Sequence, residues 1–197
     1  MLTTLTRHPQ QGVFQRPVWR YLGAMTDMIP AWINGTLTPV DKLQAHVDGV
    51  KHKAVSVFLF HADKVLIQQR AAGKYHTPNK WANSCCTHPH WDEDPRDCAI
   101  RRLEEELGIT GVQPKWVEKL EYRADVGGGL IEHEVVDMFV IHADEVPQIT
   151  LNPSEVQAIQ WLDRSTLENK IVQAPNDFTP WLKIYMSKYA SSVFGPA

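Results

Sequence analysis

Two carboxylates, three histidines and an adjacent pair of cysteines are the residues whose types and spacing suit chemistry in this chain. Glu132 and Glu134 stand i,i+2 in IEHEVVDMFVIH (131–142), an apolar stretch that reads as a long strand, so both side chains leave one face. Like charges at that spacing repel unless a cation lies between them; a solvated edge face is the other reading. His46 and His52 bracket a short loop ahead of the first hairpin strand, and His88 follows Cys85 and Cys86 in NSCCTHP (83–89). Three imidazoles and two carboxylates make a mixed nitrogen and oxygen set suited to an octahedral divalent ion. In an extended NSCCTH, Cys86 and His88 share a face and Cys85 points the other way.

The elements that must position these groups are legible in outline. After the cysteines, Asp94 reads as a helix N-cap, Pro95 as the first helical residue and Gly108 as the stop, with Asp97 near the positive end. Ala99, Ile100, Leu103 and Leu107 fall within one arc of about 100° and form the buried side. Arg102 and Glu106, an i,i+4 pair, flank that arc. A cation and a carboxylate there suit a grip on metal-bound phosphate; an ordinary helical ion pair on a solvated face is the alternative.

Upstream, Asn34-Gly35 predicts a turn between short extended pieces, and 54–60 with 65–69 a hairpin carrying Val55, Val57 and Leu59 on one face. Residues 72–81, with Lys74, read as a loop, 115–124 as a strand, 125–129 as a turn and 158–162 as a short strand. Ser165 to Lys170 reads as a short helix, and Thr179-Pro180 opens a final helix running to about Tyr189. A mixed sheet with helices on its faces is the simplest packing, in one domain over 28–197. Residues 1–27, with three arginines, no acid before Asp27 and no long apolar core, are expected to be a poorly ordered extension.

Composition excludes several classes. A net charge of −3 over 197 residues gives no reason to expect nucleic acid or an anionic membrane as partner. The longest apolar runs, such as AVSVFLF (54–60), are far too short to span a bilayer. Three cysteines, two of them adjacent, make a poor disulfide framework and point to a reducing compartment, the cytoplasm. Nothing in the sequence sets the oligomeric state.

The helix and its approach resemble a degenerate Nudix box, GX5EX7REUXEEXGU with U apolar. Glu93, Leu103, Glu105, Glu106, Gly108 and Ile109 match it, whereas Thr87 stands at the first Gly and Arg102 at the RE glutamate. Without that glutamate, plain diphosphate hydrolysis lacks a usual metal ligand. The same departures, with the NS-x-C-x-HP segment, resemble the type I isopentenyl diphosphate isomerases, from roughly Ile29 to Trp181.

The resemblance implies a Nudix-like α/β/α sandwich and interconversion of isopentenyl and dimethylallyl diphosphate in isoprenoid precursor biosynthesis. It assigns His46, His52, His88, Glu132 and Glu134 to a metal, with Mn²⁺, Mg²⁺ and Zn²⁺ all admissible. It brings Lys42, Arg70, Lys74 and Arg102 onto the diphosphate, with Glu106 on a Mg²⁺ bridging to phosphate oxygens. Moving an unactivated double bond needs an acid, a base, a dry pocket and an aromatic face beside a tertiary cation. Cys86 and Glu134 fit as the acid–base pair, Tyr122 as the hydroxyl beside the glutamate and Trp161 as the π face. With His88 a ligand, Cys86 is the thiol beside the metal, where cations ease thiolate formation, and Cys85 a small buried hydrophobe. A Nudix hydrolase and a metal-stabilised binding module are the rival readings.

Overall fold

The computed structural model describes residues 27–195, so the expected extension over 1–27 lies outside it except for Asp27. β1 (Met28–Ile33) and β2 (Thr36–Asp41) form an antiparallel hairpin. Asn34 and Gly35 turn it with φ of 50° and 81°, left-handed values that these two residue types tolerate. A helix that the sequence reading did not assign follows: α1 (Lys42–Asp48). The Asp41 carboxylate accepts from the Gln44 amide at 2.9 Å, and Gly49 ends the helix at φ 62°. Seven residues are too few for a helical period to stand out, yet this turn carries Lys42 and His46.

β3 (His52–His61) is the centre of the sheet. It pairs antiparallel with β1, with β4 (Lys64–Arg70) and with β6 (Cys85–Thr87), and parallel with β8 (Leu130–Ala143). β5 (Trp81–Asn83) and β9 (Val156–Asp163) both run antiparallel to β4. β7 (Lys115–Gly127) runs antiparallel to β8, and its ladder continues past Asp125 to a turn at Gly128-Gly129.

Alternation along β3 sorts the core into two layers. Val55, Val57 and Leu59 face α2 (Pro95–Leu107), packing with Leu66, Cys85, Ala99, Leu103 and Leu107. Ala54, Phe58 and Phe60 face the other way. There they meet Leu167 of α3 (Arg164–Gln173), Trp181, Leu182 and Tyr185 of α4 (Pro180–Lys188) and Val193 of α5 (Ala190–Phe194). The result is an α/β/α sandwich around a mixed sheet.

α2 begins and ends where its sequence predicts. The Asp94 carboxylate accepts from the Arg96 amide at 2.8 Å, and Gly108 closes the helix at φ 66°. A Cβ on Gly108 would lie 2.9 Å from Cβ of Thr150 and 3.0 Å from its carbonyl oxygen, so sterics and backbone both demand glycine. Cys98 and Glu106 are buried on this helix while Ile100 is half-buried, a rotation of the expected apolar arc toward Cys98.

Candidate active site and metal centre

Strand register brings distant residues onto one face. His52 pairs with Glu134 across β3 and β8, Tyr122 with Glu134 across β7 and β8, and Ser56 with Cys86 across β3 and β6. α1 swings His46 into the same place. The His46, His52 and His88 ring centroids form a triangle with sides of 4.7, 5.0 and 5.0 Å.

The imidazoles are oriented so that they could hold a metal ion. His46 Nδ1 lies 2.6 Å from the Lys42 carbonyl oxygen and His52 Nδ1 2.7 Å from that of Val50. A carbonyl only accepts, so each ring carries its proton on Nδ1 and leaves an Nε2 lone pair. Both Nε2 atoms are buried without a partner, as is Nδ1 of His88. Glu134 Oε1 sits 3.0 Å from His88 Nε2 and 3.7 Å from His52 Nε2. Ligand atoms of His46, His52, His88 and Glu134 all lie within 4.8 Å of one another, a donor set that fits a divalent ion. Burial lowers His46 to about 4 and holds His88 well below its ordinary value, so both rings are neutral and free to coordinate.

Glu132 and Glu134 share one phenol. Tyr122 Oη lies 2.8 Å from Glu132 Oε2 and 2.7 Å from Glu134 Oε2, but a phenol has one proton to give. The second contact therefore needs a proton on one carboxylate, and that carboxylate is Glu132. Burial, and then the charge of Glu134, push Glu132 well above the usual range. Burial pushes Glu134 the same way, but the hydrogen bond from His88 outweighs it and holds Glu134 low. Without an ion, Glu132 thus donates to Tyr122, which donates to Glu134.

His88, Tyr122, Glu132 and Glu134 line a cleft together with Lys42, Arg70, Lys74 and Arg102. The four cations come from α1, β4, the 72–81 loop and α2, so only the tertiary fold assembles them. Lys42 pairs with Asp27 at 3.4 Å, and Arg102 with Glu155 at 3.2 Å and Glu106 at 2.6 Å. Glu106 lies behind Arg102 rather than on the wall. Its Oε1 takes Arg102 and its Oε2 accepts from Gln68 at 2.9 Å.

Cys86 reaches the cleft and Cys85 is fully buried on the α2 side, as the alternation predicts. The thiol of Cys86 donates to Asn83 Oδ1 at 2.9 Å and lies 3.0 Å from Ser56 Oγ. Without an ion, burial pushes the Cys86 thiol upward and favours the proton on sulfur.

Trp161 is corrected. It pairs with Leu66 across β9 and β4, which turns it toward the α2-side core and edge-on to His61 at 6.3 Å, away from the cleft. Trp181 of α4 lines the cleft instead, with the Arg70 guanidinium 5.2 Å from its ring centre. Thr179-Pro180 signals the start of that helix, but a helix start does not tell which aromatic it delivers to a site. Tyr75, His76 and Thr87 join the lining without any signal in their local sequence.

The NUDIX domain family matches residues 50–182. An isopentenyl-diphosphate Delta-isomerase from Roseobacter denitrificans is 60% identical over 171 residues, covering 87% of this chain and 97% of that protein. Proteins of the same name from Dinoroseobacter shibae and Jannaschia are each 54% identical, over 87% and 88% of this chain and 97% and 98% of theirs. Among solved structures, a Deinococcus radiodurans protein superposes with a TM-score of 0.62 at 13% identity, covering 82% of this chain and 98% of that one. A MutT NUDIX hydrolase from Burkholderia pseudomallei gives 0.53 at 18%, covering 71% and 98%; both are likenesses of fold. On these grounds the chain belongs to the NUDIX domain family and, within it, to the isopentenyl-diphosphate Delta-isomerases.

Proposed function

We propose that the cleft is where this chain interconverts isopentenyl and dimethylallyl diphosphate, by adding a proton to one carbon of the alkene and removing one from a neighbour. The observation that carries this reading is a protonated thiol and a phenol-linked carboxylate pair lining one cleft with four cationic side chains. Hydrolysis at phosphorus needs no such thiol, and a structural metal module needs neither the thiol nor the cations.

Cys86 holds a proton at Sγ, and Glu134 takes or returns one at Oε2 with Tyr122 Oη as relay. The two groups stand on different strands, β6 and β8, so they can address different sides of a bound alkene. Trp181 offers its π face to positive charge on carbon. Lys42, Arg70, Lys74 and Arg102 would bind the diphosphate, and Glu106 would hold a Mg²⁺ that supplies further positive charge to it. His46, His52, His88, Glu132 and Glu134 would hold a divalent ion, which would supply charge that keeps both carboxylates ionised; Mn²⁺, Mg²⁺ and Zn²⁺ all suit that set. Trp181, Leu182 and Tyr185 of α4, packed on the sheet beside the cleft, would limit the water that could trap a cation.

Proton NMR of isopentenyl diphosphate with the protein in D₂O tests this directly. An allylic product carrying deuterium is expected. Release of a monophosphate, or no change at all, would sink the proposal.

A further inference from the structure

His76 lies in the 72–81 loop and is nearly buried, yet the ion-binding set just described makes no use of it. Its ring is stacked on that of His46 at 5.6 Å, tilted by 23°, and its Nδ1 is 3.9 Å from Glu132 Oε1. Ligand atoms of His46, His76 and Glu132 lie within 4.8 Å of one another, as do those of His46, His52, His88 and Glu134. The two groups meet at His46. Because Nδ1 of His46 is committed to the Lys42 carbonyl, His46 has a single lone pair, on Nε2, to offer them. One nitrogen lone pair binds one ion at a time, so the two groups cannot both be filled through His46, and His76 with Glu132 stands beside the first group rather than at an independent site. Glu132 Oε2 is likewise taken by Tyr122, which leaves Oε1, the oxygen facing His76.

We infer that His76 is a sixth protein ligand of the ion, completing an octahedral shell with His46, His52, His88, Glu132 and Glu134. The inference rests on the metal centre of the proposed function and deepens it. A closed shell has a chemical reason in this reaction. With six protein donors no coordination position remains for water, which would be an activated nucleophile beside a carbocation. The ion then organises Glu134 without supplying the nucleophile that destroys the intermediate. The loop is held for this task by Arg70, whose Nη2 donates to the His76 carbonyl at 3.2 Å.

The full-length protein, stripped of metal and reloaded with Mn²⁺, provides the test. Pulsed electron paramagnetic resonance should count four coupled imidazole nitrogens in the native protein and three in His76→Ala. Water-proton relaxation by the bound Mn²⁺ should be low in the native protein and rise in the variant as water enters the vacated position. The Mn²⁺ dissociation constant should weaken by about 10–100-fold, the range typical of lost support at a metal site. Three imidazoles in the native protein, or inner-sphere water already present there, would overturn the role of His76. The native count decides this even if His76→Ala does not fold. A native protein that binds no Mn²⁺, Mg²⁺ or Zn²⁺ would instead defeat the metal centre itself.

Discussion

Ser56 Oγ lies 3.0 Å from Sγ of Cys86, its direct partner across β3 and β6. The same hydroxyl reaches Tyr185 Oη at 2.9 Å, and Asn83 receives the thiol proton from the other side. Asn83 is fixed in turn, because its amide nitrogen donates to the carbonyls of Val57 and Cys85. The thiol is therefore held by a buried polar frame rather than by packing alone.

Ser56→Ala is expected to lower kcat by about 10–100-fold, the cost of a misplaced reacting group, with KM little changed. Steady-state kinetics on isopentenyl diphosphate would check it. A variant that raises KM and leaves kcat intact would place Ser56 in substrate binding instead.

Cys86→Ala should abolish turnover and leave diphosphate affinity largely intact, because the cations of the cleft come from other elements. Cys85→Ala, a small apolar loss inside the α2-side core, should cost about 1–2 kcal/mol and keep most activity. Calorimetric titration with substrate, alongside thermal melts, separates the two. An alkene-epoxide analogue should alkylate Cys86 and spare Cys85; labelling of Cys85 would reverse the assignment.

Metal-free protein should be most stable at about pH 6–7. Below the ordinary histidine value of 6.5, the unfolded chain binds protons at His46, His76 and His88 that burial denies the folded protein. Stability therefore falls as pH drops through that window, with His46 alone contributing up to about 3 kcal/mol between 6.5 and about 4. Above it, the folded protein keeps a proton on Glu132 that the unfolded chain has released, so stability falls as pH rises. Added Mn²⁺ should flatten that upper limb by displacing the Glu132 proton. Calorimetric melts from pH 5 to 9, with and without Mn²⁺, would show a plain monotonic curve if this account fails.

The two tryptophans should behave oppositely. Trp181→Ala removes the ring facing the cleft and the partner of Arg70, and is expected to cut kcat at least tenfold. Trp161→Phe should keep turnover within about twofold and lower stability by no more than about 1.5 kcal/mol, as a shape change in the α2-side core. Equal loss of turnover in both would mean that Trp161 reaches the reacting carbon in the bound state.

What the sequence determined was whatever depends on neighbours along the chain. The caps of α2, the turn at Asn34-Gly35, the shared face of Glu132 and Glu134 and the opposed cysteines all follow from local periods and turn chemistry, and the structure has each of them. The family followed from the box around Glu93 and Glu106 and from NSCCTHP. Tertiary structure decided the rest. α1 is too short to announce itself, so the delivery of His46 became visible only with the hairpin before it folded. Trp161 and Trp181 look alike as residues; the pairing of β9 with β4 turns one toward α2, and the packing of α4 on the opposite layer brings the other to the cleft. His76 reached the cleft through a loop with no period to read. Whether Cys86 carries a proton was likewise beyond local sequence, because burial, which sets it, is a property of the whole fold.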